Sequence, residues 1–150
     1  MRIIFQISIL IIFIISSSIV FALEMNGEQI IKSRKSIFKQ NYSYAKKMTA
    51  EIEIGNKEKV RDLAIKMSEN YSKLKDYFPE NSKSGYDTEA LPIIWEEKEN
   101  FNNLIDRASK NADEFSKLVF NLIGDDLKDY QKNMIWSQCK TCHDKFRMPH

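Results

Sequence analysis

"IWSQCKTCHDKFR", Ile135–Arg147, holds both cysteines of the chain, Cys139 and Cys142, and one of its two histidines, His143. The other histidine, His150, is the last residue. Residues three and four apart on a helix share one side, so Cys139, Cys142 and His143 project together if this stretch is helical. A chain so sparing with these residue types gathers them here for a purpose. The surrounding sequence has to say whether that purpose is a disulfide, a zinc site, a redox pair or an anchor for a cofactor.

Upstream of the quoted stretch, Leu127, Tyr130, Met134 and Ile135 lead into the cysteines at helical spacing, with Asp125 or Asp126 as the cap. Gly124 separates this helix from a third one. That third helix is expected to start near Leu91-Pro92, proline suiting a first helical turn. Its apolar stripe runs through Trp95, Phe101, Leu104, Ile105, Ala108, Ala112, Phe115, Leu118, Val119 and Leu122. A second helix, capped by Asn56, carries Val60, Leu63, Ala64, Met67, Tyr71 and Leu74 and ends near Phe78-Pro79. A first helix, capped by Asn26 and stopped by Gly55, turns Ile31, Arg34, Phe38, Ala45, Met48 and Ile52 inward. The polar stretch "ENSKSGYDTEAL", Glu80–Leu91, is the one long connection, and such connections are often functional. No period-two run is long enough for a strand. The fold expected is all-α, an antiparallel up-down-up-down four-helix bundle.

The first 22 residues, "MRIIFQISILIIFIISSSIVFA", read as a cleaved signal peptide: Arg2, an apolar run, then Val20-Phe21-Ala22 before the cut. The run is short for a membrane span, which needs about 20 apolar residues. The expectation is therefore a leader over 1–22 and one domain over 23–150, exported to the periplasm and free of the membrane after cleavage. Loss of Arg2 lowers the formal charge from +2 to +1. That balance gives no case for nucleic acid or an anionic membrane as partner.

Within this frame the four readings separate. A thioredoxin-like pair opens a helix after a strand, whereas here the pair closes a helix in an all-helical chain. A structural zinc needs four ligands, and the chain offers only Cys139, Cys142, His143 and the terminal His150. A disulfide over so short a loop stabilises little. Cys-x-x-Cys-His is the attachment pattern of c-type haem: two thiols add to the two vinyl groups as thioethers, and the histidine turns to the iron. Haem c, covalent through Cys139 and Cys142 with His143 on the metal, is the favoured reading; a zinc-bound or purely structural bundle is the remote alternative. No pattern supports a catalytic nucleophile or general base, so an enzyme is not expected.

The residues also resemble a family, the class II c-type cytochromes of the cytochrome c′ and cytochrome c-556 group. "CKTCHDKFR" resembles the family's attachment helix, including the arginine four after the ligand, Arg147. "KSRKSIFKQN" resembles its first helix, and "YFPENS" and "PIIWEE" its second-helix end and third-helix start. The resemblance implies that the residue at Phe38 faces the open side of the iron. Methionine at this place gives the six-coordinate, low-spin electron carriers of the c-556 type; an apolar residue gives the five-coordinate cytochrome c′ type that binds NO and CO. Phe38 has no lone pair, so the five-coordinate state is expected, with an apolar face that offers no hydrogen-bond donor. Met48, ten residues on, lies about 15 Å further along the helix and is a poor substitute; Met25 and Met148 stand outside the expected helices. The resemblance further implies a haem propionate beside Arg34, with Lys35 and Glu89 as weaker border residues, and Arg147 near the imidazole. It implies single-electron exchange with a periplasmic redox partner, for which Lys32, Lys35, Lys39, Lys46 and Lys47 offer a basic face. It leaves a homodimer open, against which the charge of the first helix works.

Overall fold

The structure, a computed structural model, describes residues 25–149. The expected leader over 1–22 and His150 lie outside the described residues. Helix α1 spans Gly27–Glu53 and opens on a reciprocal capping box: Gln29 N donates to Asn26 Oδ1 and Asn26 N to Gln29 Oε1, each at 3.0 Å. Gly55, at φ 74°, turns the chain back. Helix α2 spans Lys57–Leu74 and is capped by Asn56, whose side chain accepts from Lys59 N. These two ends are legible because capping is chemistry between neighbours in sequence.

Two 3-10 turns, Lys75–Tyr77 and Glu80–Ser82, begin the long connection, which crosses the end of the bundle. The third helix is not continuous. A single turn, α3 (Ile93–Glu96), stops at Glu97, where φ −110° and ψ 44° leave the helical region; α4 (Lys98–Leu118) then resumes. The fourth rod is composite as well: α5 (Gly124–Gln131), a π-helical turn over Lys132–Trp136, and α6 (Ser137–Phe146). Gly124 opens α5, at φ 52°, rather than separating two helices, and no side chain caps that end. Inside the π turn, the Asn111 amide of α4 donates to the Met134 carbonyl at 3.2 Å.

The long helices pack as a four-helix bundle, with α2 against α4 and α1 against α2 as the largest seams, and no strand is present among the described residues. Most helical stability in a folded protein comes from packing of an amphipathic face, so the buried apolar faces hold the bundle. Ala45, Met48, Val60, Ala64, Met67, Ala112, Phe115 and Val119 are sealed from solvent. At the end where α6 finishes, Phe101 meets Phe78 and Phe146 edge-on, with centroids 4.6 and 5.3 Å apart. The chain after α6 is laced to the long connection: Leu91 N donates to Phe146 O at 3.0 Å and Met148 N to Glu89 O at 2.9 Å, flanking a bridge between Ala90 and Arg147. No helix among the described residues is long and apolar enough to cross a membrane.

Candidate haem site

A cavity of about 650 Å³ lies between α1, α4, α6 and the long connection. That is within the range of about 300–1,000 Å³ in which proteins hold small organic ligands and cofactors. Helix α6 contributes Cys139, Cys142, His143 and Phe146 to its lining, and the chain end adds Arg147. Helix α1 contributes Arg34, Phe38 and Asn41. Every residue expected at the site thus borders one space, and so do Lys35 and Glu89. Among the described residues no methionine lines the cavity; Met48 is fully buried elsewhere in the core.

The two thiols are half-buried and unpaired. Burial pushes the Cys139 thiol up, against a smaller lowering by the Tyr71 hydroxyl; burial and then the neighbouring Cys139 push Cys142 up to about 11. Thiols poised for disulfide exchange are shifted the other way. Nor do the described residues assemble three or more His, Cys, Asp or Glu around a point where a metal ion could sit. Two neutral thiols and an imidazole on one helical face, opening into an apolar space, fit a covalently bound haem.

Arg34 is 2% exposed, and burial pushes its guanidinium down to about 10, still charged at neutral pH. Nη1 donates to Tyr77 O (3.2 Å) and Ser82 Oγ (2.9 Å); Nη2 donates to Ser82 O (3.0 Å) and Thr88 Oγ1 (2.6 Å). Phe78 lies against its plane, 4.6 Å from ring centre to guanidinium carbon. The arginine therefore shapes the cavity by pinning the long connection. Lys35 adds a bond to Asp87 O at 3.0 Å, close to a left-handed pair, Tyr86 and Asp87. Arg147 lies beyond the helix in extended backbone, with Nε 3.8 Å from Glu89 Oε2.

The wall is less apolar than the sequence suggests. Asn41, 2% exposed, and Tyr71, 7% exposed, both line it. Asn41 falls on the same stripe as Arg34, Phe38 and Ala45, and that spacing is the signal that could have placed it there.

The comparisons agree with this fold. A family model described as Cytochrome C′ matches residues 29–147. A cytochrome c′ of Rhodopseudomonas palustris is 32% identical over 124 residues, covering 79% of this chain and 81% of that protein. A solved cytochrome c′ structure from the same organism superposes with a TM-score of 0.70 at 31% identity, covering 80% of this chain and 96% of that one. A cytochrome c prime from Alcaligenes xylosoxidans, solved as a ferrous variant with bound NO, shares the fold: TM-score 0.70 at 18% identity, over 84% of this chain and 98% of that one. The fold and site define a c-type haem protein built on a four-helix bundle. The chain belongs to the cytochrome c′ family, whose members carry covalently attached haem c.

Proposed function

We propose that this chain is an exported haem protein whose iron is held by His143 on one face and left open on the other, beneath Phe38, to take up NO or CO or to pass single electrons to a periplasmic partner. One observation carries the reading: the α6 face with Cys139, Cys142 and His143 and the α1 face with Phe38 border the same cavity, and no methionine among the described residues lines it. When bound, haem supplies the iron that takes the gas or the electron.

The chain's own residues do the rest. Cys139 and Cys142 would hold the ring through their sulfurs, and His143 would offer its imidazole from the next position on the same face. Phe38 restricts what enters. A polar ligand would lose hydration there, whereas a small neutral diatomic has little to lose. Arg34, with both terminal nitrogens already on the long connection, would act on a propionate through its charge while holding the cavity mouth in shape. The Alcaligenes protein of the same fold was solved with NO bound, which supports gas uptake here.

The absorption spectrum of the reduced holoprotein, recorded with and without CO, tests this. A large change on CO addition is expected of an open iron. A low-spin spectrum indifferent to CO would replace the reading with that of a six-coordinate electron carrier.

A further inference from the structure

Three polar side chains, Asn70, Asn41 and Tyr71, lie between α1, α2 and α6. Asn70 Nδ2 donates to Asn41 Oδ1 at 2.9 Å. Asn41 Nδ2 is buried and has no hydrogen-bond partner of acceptable geometry. Burial pushes the Tyr71 hydroxyl well up, the Asn41 side chain opposes that in small part, and the hydroxyl sits 3.8 Å from Cys139 Sγ. With a free thiol the last contact has no fixed direction, because either atom can donate. The orientation of the hydroxyl, and with it the direction in which its lone pairs face, is therefore left unfixed beside a buried amide donor that is costly to leave without a partner.

Covalent attachment removes that ambiguity. When the Cys139 thiol adds across a vinyl group, sulfur bonds one carbon and the thiol hydrogen goes to the other, with no net oxidation. A thioether sulfur only accepts. Tyr71 must then donate to it, which fixes the hydroxyl with its hydrogen on the sulfur and its lone pairs free to face Asn41 Nδ2. We propose that Asn41 and Tyr71 are positioning residues for the Cys139 sulfur, completing a one-way hydrogen-bond chain Asn70→Asn41→Tyr71→Cys139 when that sulfur is bonded. The inference rests on the haem reading above. It assigns the polar patch to the attachment edge of the ring rather than to the ligand on the iron.

A donor on the sulfur withdraws electron density from the ring and favours the reduced state. In the holoprotein, Tyr71→Phe removes that donor with little change in shape. The reduction equilibrium should fall about threefold, a drop of about 30 mV at 59 mV per tenfold for one electron. Asn41→Leu should move it the same way by less, and the double variant no further than Tyr71→Phe alone. The C–S stretching band in the resonance Raman spectrum should shift with Tyr71→Phe. An unmoved potential in Tyr71→Phe overturns the proposal; if that variant does not fold, an unmoved potential in Asn41→Leu does so. A shifted C–O stretch of bound CO in Asn41→Leu, with the potential unmoved, also overturns it by placing the amide on the ligand. Colourless wild-type protein would end the haem reading itself, a result distinct from coloured variants with unmoved potentials.

Discussion

Arg34 on α1 and Ser82 in the long connection, 48 positions apart, are joined twice: Nη1 to the hydroxyl at 2.9 Å and Nη2 to the carbonyl oxygen at 3.0 Å. Both residues are sealed from solvent. Replacing Arg34 by Met keeps the stem and strands the Ser82 and Tyr77 carbonyls in the interior. The expected loss is about 3 kcal/mol, since each orphaned buried polar group costs roughly 1–3 kcal/mol. Urea denaturation of the holoprotein measures it. Arg34→Lys should recover only part, because one ammonium cannot reproduce the planar fork.

Gly27 opens α1 hard against the same connection: a Cβ there would stand 2.1 Å from the Asn81 carbonyl oxygen. Helix propensity alone makes Gly→Ala stabilising by about 1 kcal/mol. Here the obstacle is backbone, so Gly27→Ala should instead destabilise by roughly 1–3 kcal/mol, as overpacking does. Thermal unfolding gives the sign directly.

Phe38→Met supplies a thioether at the cavity wall. The holoprotein should move from a high-spin to a low-spin absorption spectrum and lose most of its response to CO. An unaltered spectrum would mean that Phe38 does not stand over the iron.

Lys145 of α6 and Glu97, at the break between α3 and α4, form an ion pair. The hydrogen bond from Lys145, then that from Asn100, hold the Glu97 carboxyl below its usual 4.5. A carboxylate with a depressed native pKa stabilises above its unfolded value, and that contribution disappears as pH falls through the native one. The difference in melting temperature between wild type and Glu97→Gln should therefore be present above about pH 5 and close as the pH is taken below 4. The pair is exposed, so the difference will be small and sensitive to salt.

The bundle was legible because its signals are local or periodic. Asn26 and Asn56 cap the helices they announce, and the apolar stripes reappear as the core. The interruptions were not legible for a related reason. The break at Glu97 falls between two helical stretches whose stripes agree, so periodicity alone joins them. The π turn leaves the apolar spacing around Ile135 nearly unchanged. At the site, Cys139, Cys142 and His143 carry a pattern with few meanings. Arg34 was placed correctly on the inward stripe, but its partners come from a loop with no periodicity to read. Asn41 and Tyr71 were obscured by their chemistry: one is a polar residue on an otherwise apolar stripe, the other was counted among the core residues, and they matter through each other.

The π-helical turn over Lys132–Trp136 lies one residue before α6 and three before Cys139. Each residue of an α-helix advances its neighbours by about 100°, and a π turn accommodates one residue more than a regular helix would. Shortening this segment by one would keep every letter of Cys-Lys-Thr-Cys-His and swing the trio about a quarter turn off the cavity. The angular phase of the attachment face is thus set upstream of the motif, where an insertion or deletion would disable the chain while its signature still read as intact.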